Sequence, residues 1–161
     1  MNKIPHIAKW AIRFTFAGVF WSYLENFLGY HNENIQNYFT FSMLFGLIYF
    51  IFYYLMLNDI NKSFYDSKIS YKSAFISSSI FTLVITFLSP LPQLIMHNYI
   101  APDFFANGIA LSALKAPEKQ ELAKTFYTLS NFIMQGILNS FSLGILFSAA
   151  MPLLFVKKTT K

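Results

Sequence analysis

Cysteine is absent from the chain, which removes disulfide frameworks, thiolate metal sites, thiol nucleophiles and covalent haem attachment together. The redox compartment stays open on that ground. Charge is scarce as well. Only 12% of the 161 residues are charged, against about a quarter in a soluble domain, which needs them to keep its surface wet. Disorder is excluded by the opposite excess: Phe 20, Tyr 10 and Trp 2 give far too much aromatic surface to stay solvated. The net charge of +5 is scattered between long apolar runs, as membrane proteins carry positive charge, so no nucleic-acid partner is expected. The length suits one membrane domain, 1–161.

About 20 consecutive mostly apolar residues cross the hydrocarbon of a bilayer. Four segments qualify: Ile7 to Leu28, Tyr38 to Leu57, Ser73 to His97 and Phe126 to Val156. The last is too long for one crossing. Its first turns are expected outside the bilayer, following Pro117 at a helix start, with the crossing beginning near Asn131. A soluble bundle would need a polar outer face on each helix, and Phe39 to Leu57 has almost none. Arg13 interrupts the apolar core that a cleaved signal peptide requires, so the first segment is expected to be retained.

Lysine and arginine set the orientation. Lys3, Lys9, Arg13, Lys62, Lys68, Lys72, Lys157, Lys158 and Lys161 fall on one side, and Lys115, Lys119 and Lys124 on the other. The expected fold is therefore an all-α integral membrane protein of four transmembrane helices in two antiparallel hairpins, a four-helix bundle with both termini cytoplasmic. Trp10 and Tyr71 would mark the inner aromatic belt, with Tyr30, Tyr38 and Tyr99 at the outer one. Between the third and fourth spans, Ala101 to Lys124 reads as an extracytoplasmic lid of one or two short helices, with Asp103-Phe104-Phe105 in the headgroup region.

The chain resembles a family of bacterial membrane proteins, domain of unknown function 4199, found mainly in Bacteroidetes. The resemblance rests on a first hairpin, a basic connection, Ile69-Ser70-Tyr71-Lys72-Ser73-Ala74-Phe75 before the third span, then Asn98-Tyr99-Ile100-Ala101-Pro102-Asp103-Phe104-Phe105, a charged stretch and a fourth span. Members often carry an acidic residue where this chain has Ala101, and a longer acidic helix before the last span. The resemblance implies four transmembrane helices and brings no activity.

Polar side chains in hydrocarbon need partners, so they mark interior faces. In the third span Ser78, Thr82, Thr86, Ser89, Gln93 and His97 occupy an arc of about 100°, and in the fourth Asn131, Gln135, Asn139 and Ser142 lie within about 80°. These stripes are expected to face each other, with Gln93 near Asn131 or Gln135 and Thr86 near Asn139. The alternative is a hydrated path for a solute or proton. Pro90 and Pro92 lie in the outer part of the third span, where a kink is expected rather than a transport site. In the first span Thr15, Gly18, Ser22, Glu25 and Asn26 share a face. Lys9 and Arg13 are near enough to the inner edge to snorkel. Glu25 is the strongest single-residue candidate, and His97, Gln93 and Asn26 are its nearest suitable partners. A polar clamp between the first and third helices is the plainer reading of that pairing.

His31, Glu33, His97 and Asp103 all fall on the outer side, yet no two share the spacing of a helix-borne ligand pair, so no metal is expected. No Walker loop, nucleophile elbow, zinc-protease helix or paired intramembrane carboxylates occur, so no catalytic residue, cofactor or enzymatic activity is expected. The expected role is a multi-pass protein of the bacterial inner (cytoplasmic) membrane acting as an accessory or interaction subunit. Phe45, Phe50, Phe52 and Tyr54 would face lipid or a partner, either a second copy or another membrane protein. The alternative is a small transporter or channel using the stripes of the third and fourth helices.

Overall fold

The computed structural model describes residues 2–156, which leaves Lys157, Lys158 and Lys161 of the basic C-terminal run outside it. The described residues are mostly helical and form no strand. The helices are α1 (Ile4–Phe27), α2 (Tyr38–Ser42), α3 (Phe45–Tyr65), α4 (Tyr71–Leu88), α5 (Pro90–Ile95), α6 (Phe104–Lys115), α7 (Gln120–Phe126) and α8 (Leu129–Ala150). Three stretches, Ile35–Tyr65, Tyr71–Ile100 and Leu129–Leu154, are long and apolar enough to cross a membrane. The first helix, of 24 residues, carries Lys9, Arg13 and Glu25 and is not among them. Large side chains such as Leu47, Phe50, Tyr54, Leu83, Phe87 and Leu146 stand exposed on these helices.

The breaks follow the sequence. Proline has no N–H to give the preceding turn, and α4 ends at Leu88 so that α5 starts on Pro90. Beyond it Met96–Ile100 winds one residue wider, and the Ala101 N–H closes on the Met96 carbonyl at 2.8 Å. The expected short helices between the third and fourth spans are α6 and α7. A 3-10 turn at Pro117–Lys119 leads into α7, and α8 begins at Leu129 as a separate helix.

The contacts divide the chain into two compact units, one built on Met1–Phe14, Gly46–Leu88 and Leu138–Lys161, the other on Thr15–Phe45 and Ser89–Ile137. In the first unit, Ile7, Ala11 and Phe14 of α1 are buried at helical spacing, as are Tyr49, Tyr53, Met56 and Ile60 of α3. The Phe14 ring meets the edges or faces of Tyr49 at 4.7 Å, Phe52 at 5.4 Å and Phe81 at 6.2 Å, an arrangement aromatic quadrupoles favour. The Lys9 ammonium lies 2.7 Å from Asp59 Oδ2, which also accepts from Trp10 Nε1 at 2.8 Å and faces His6 Nδ1 at 3.2 Å. Asp59 thus gives Lys9 a counter-charge from α3.

At the centre of this unit, Thr82 Oγ1 lies 2.5 Å from the Tyr53 hydroxyl, 2.9 Å from Ser148 Oγ, 3.0 Å from the Ser78 carbonyl and 3.1 Å from the Gly144 carbonyl. A hydroxyl has one hydrogen and two lone pairs. Thr82 shares its one hydrogen between the two carbonyls, which leaves its lone pairs to face the Tyr53 and Ser148 hydroxyls. Gly144 makes the approach fit. A Cβ there would fall onto Thr82 Cγ2 and within 3.0 Å of the Tyr53 hydroxyl.

In the second unit, α6 supplies the core. Phe104 is 1% exposed, and its ring lies 4.7 Å from Tyr38, 4.9 Å from His31 and 5.3 Å from Phe132. Phe105 lies 5.0 Å from Phe132 and is also buried. Both rings of the Asp103-Phe104-Phe105 segment thus turn into the protein, where Ile35, Tyr38, Met96, Ala101 and Phe132 join them. Tyr38, expected in the outer belt, is buried in the same cluster. Gly108 admits the Tyr127 ring, which occupies the space a Cβ would need.

Replacing Gly144 tests the Thr82 knot. Gly144→Ala is expected to lower the unfolding free energy by about 1–3 kcal/mol, since Thr82 is pinned and cannot yield. Gly46 has nothing within 4 Å of its would-be Cβ, so Gly46→Ala should be neutral or gain up to about 1 kcal/mol of helix propensity. Denaturation in mild detergent measures both.

Candidate functional site

The end of α1 builds the site. Trp21 and Glu25 stand one turn apart, and the Trp21 indole N–H donates to Glu25 Oε1 at 2.8 Å. Gly29, with φ 79°, then reverses the chain. Its N–H bonds the Asn26 carbonyl at 3.0 Å and the Tyr30 N–H bonds the Glu25 carbonyl at 2.8 Å, the paired closure that a left-handed residue makes at a helix C-terminus. That reversal carries His31 back under the last turn. The imidazole is fully buried, with Nε2 3.4 Å from Glu25 Oε2. From α2, Ser42 Oγ donates to Glu25 Oε1. Glu25 is itself only 3% exposed.

Asparagines fix the loop around this pair. Asn26 Nδ2 donates to the Ile100 carbonyl at 3.0 Å, and Asn32 Nδ2 to Asn26 Oδ1 at 3.3 Å. Asn107 of α6 donates to the His31 carbonyl at 3.1 Å and to Asn32 Oδ1 at 3.0 Å. The His31 ring sits between Tyr38, at 5.5 Å, and Phe104, at 4.9 Å. Neither of its ring nitrogens makes a hydrogen bond among the described residues, and the 3.4 Å approach of Nε2 to Glu25 is an ion-pair distance. The carboxylate thus holds two donors on one oxygen and an imidazole beside the other, walled by aromatic rings. Among the described residues no group of three or more His, Asp or Glu is placed to hold a metal ion.

The expected residues fall into two groups. Glu25 is interior as anticipated, and Asn26 is half-buried beside it. The pairing differs: neither His97 nor Gln93 hydrogen-bonds Glu25, whose partners are Trp21, Ser42 and His31. The His97 ring lies instead 5.1 Å from that of Phe105, within the wider turn at Met96–Ile100. Gln93 and Thr86 are half-buried, and Gln93 Nε2 lies 3.6 Å from the place of a Gly136 Cβ.

On α8 the expected interior face is overturned. Asn131 and Asn139 are exposed, Gln135 is half-buried, and Asn131 caps α7 by donating to the Thr125 carbonyl at 2.5 Å. The buried positions are Phe132, Ser140, Gly144 and Ser148. Small residues every fourth position let helices approach closely, and in an apolar solvent that outweighs polarity in choosing the packed face. His31, Ser42 and Trp21 were missed as partners of Glu25. The available signal was Gly29, a glycine just past an apolar helix, which marks a chain reversal over the last turn.

Removing the carboxylate strands the Trp21 and Ser42 donors and the imidazole together. Glu25→Leu is expected to cost about 2–4 kcal/mol, whereas Glu25→Gln, which keeps an acceptor, should cost clearly less. Pairing Glu25→Gln with His31→Phe should cost less than the sum of the two single changes. Unfolding in mild detergent gives all four values, and a Glu25→Leu variant as stable as the parent would remove the clamp.

No curated protein and no solved structure matches the chain. The family model described as "Protein of unknown function (DUF4199)" matches residues 9–157. That span takes in α1 from Lys9 and every later helix, and the chain belongs to the DUF4199 family.

Proposed function

We propose that the protein is a non-enzymatic, multi-pass protein of the bacterial inner membrane that acts as an interaction subunit and associates with a second copy of itself. In this reading α1 is a fourth span, the spans form two antiparallel hairpins in one bundle, both termini are cytoplasmic, and α6 and α7 lie outside the cytoplasm. Paired with Asp59, Lys9 no longer opposes the insertion of α1.

The observation that carries the association is Asn139. It stands exposed midway along α8 and has no hydrogen-bond partner among the described residues. Hydrocarbon offers a primary amide nothing to bond. Two copies inserted the same way are related by a two-fold axis along the membrane normal, so residues near the axis meet their own counterparts. An amide both donates and accepts, and Asn139 can satisfy Asn139. Ser142 and Ala149, exposed on the same side of α8, are small enough for close approach. A transporter or channel needs the polar groups of α4 and α8 to face one another, and the outward turn of Asn131 and Asn139 favours the interaction reading over it.

Photobleaching or energy transfer in liposomes should report a dimer. Asn139→Leu should weaken it by about tenfold, equivalent to the 1–2 kcal/mol such bonds reach in model helices. Asn131→Leu should leave it unchanged, since Asn131 is already bonded within its own chain. A monomer at every protein density, or an Asn139→Leu variant that dimerises equally, would overturn the proposal. Topology has its own test, which the absence of cysteine makes clean. An impermeant thiol reagent applied to intact cells should label Glu118→Cys and spare Ser67→Cys, both exposed positions; the reverse pattern would refute the orientation.

A further inference from the structure

Helices α6 and α7 enclose an apolar groove of about 400 Å³. Leu111, Leu122, Ala123 and Phe126 supply its walls, and Ser112 and Lys115 are its polar members. The size falls within the range of small-ligand sites, and so does the pattern of an apolar lining with few polar groups.

Charge and position say what fits. Lys115 has no carboxylate partner among the described residues; its one polar contact is Gln36 Oε1 at 3.4 Å. Lys124 by contrast is committed to Glu121 at 2.7 Å. Leu122 on the groove wall is 67% exposed and the neighbouring Leu114 is 83% exposed, although both lie outside the apolar spans. Only Tyr127 and Thr128 separate Phe126 from α8, and only Ala101, Pro102 and Asp103 separate the preceding span from α6. Such short tethers keep the groove beside the ends of the adjoining apolar helices, which in the membrane reading proposed above is the level of the lipid headgroups.

We propose that this groove binds an acyl chain of an anionic bilayer lipid, with the lipid phosphate over the Lys115 ammonium. A chain drawn from the bilayer is already in an apolar medium, so its own transfer contributes little. The gain lies in covering Leu122 and Phe126, which otherwise face headgroups and water. The unpaired lysine then supplies the preference for an anionic head over a zwitterionic one.

The test uses the full chain in vesicles of equal parts dioleoylphosphatidylglycerol and dioleoylphosphatidylcholine, extracted gently, with retained lipid counted by native mass spectrometry. Phosphatidylglycerol should be retained about fivefold over phosphatidylcholine, the preference one lysine near the surface provides. Lys115→Gln should bring the ratio to parity, and Leu122→Glu, at an exposed position that leaves the fold intact, should remove the retained lipid. Parity in the parent protein, or retention indifferent to either change, would overturn the site. A parallel arm with added sodium oleate separates the sources, and displacement of the lipid by oleate would overturn the phospholipid assignment. Asn139→Leu leaves the groove untouched, so loss of the dimer with lipid still retained distinguishes failure of the association from failure of this site.

Discussion

A buried polar atom in a chain this apolar has little water to fall back on, and the side chains around Glu25 and Thr82 answer to that constraint. Glu25 meets it with an indole N–H, a hydroxyl and an imidazole. Thr82 meets it with two hydroxyls and two carbonyls, and the half-buried Asp59 gathers an ammonium, an indole and an imidazole. Leaving such a group unmade costs more than making the bond gains. Each site therefore fixes its surroundings through the penalty on any other packing, more than through the strength of its bonds.

Glycine makes two of these arrangements sterically accessible, in different ways. At Gly29 the positive φ folds the chain over its own helix end and delivers His31 to Glu25. At Gly144 the missing Cβ lets Thr82 and Tyr53 reach the backbone of α8. Serine continues the second theme at Ser140 and Ser148, both buried. Dispersion grows with close approach, and lipid tails are as apolar as leucine, so the packed face of a membrane helix is chosen by how near its neighbour can come. A face rich in asparagine and leucine is then turned outward, where it is available to something else.

The division of labour between sequence and fold can be followed residue by residue. Helical periods, three of the long apolar helices, the proline break before Pro90 and the short helices after Pro102 were legible because each depends on a few neighbouring residues and on hydropathy. The burial of Glu25 was legible for the same reason, since its face on α1 follows from 3.6 residues per turn. Its partner was not. Equal depth suggested His97, yet the wide turn at Met96–Ile100 moves that ring towards Phe105 while the Gly29 reversal brings in His31. The stripe on α8 was read correctly as a stripe and assigned to the wrong side. Periodicity determines which residues share a face. Which face is buried depends on the neighbour's shape, and that became decidable only when Thr82, Tyr53 and Gly144 were brought together from positions far apart in the chain.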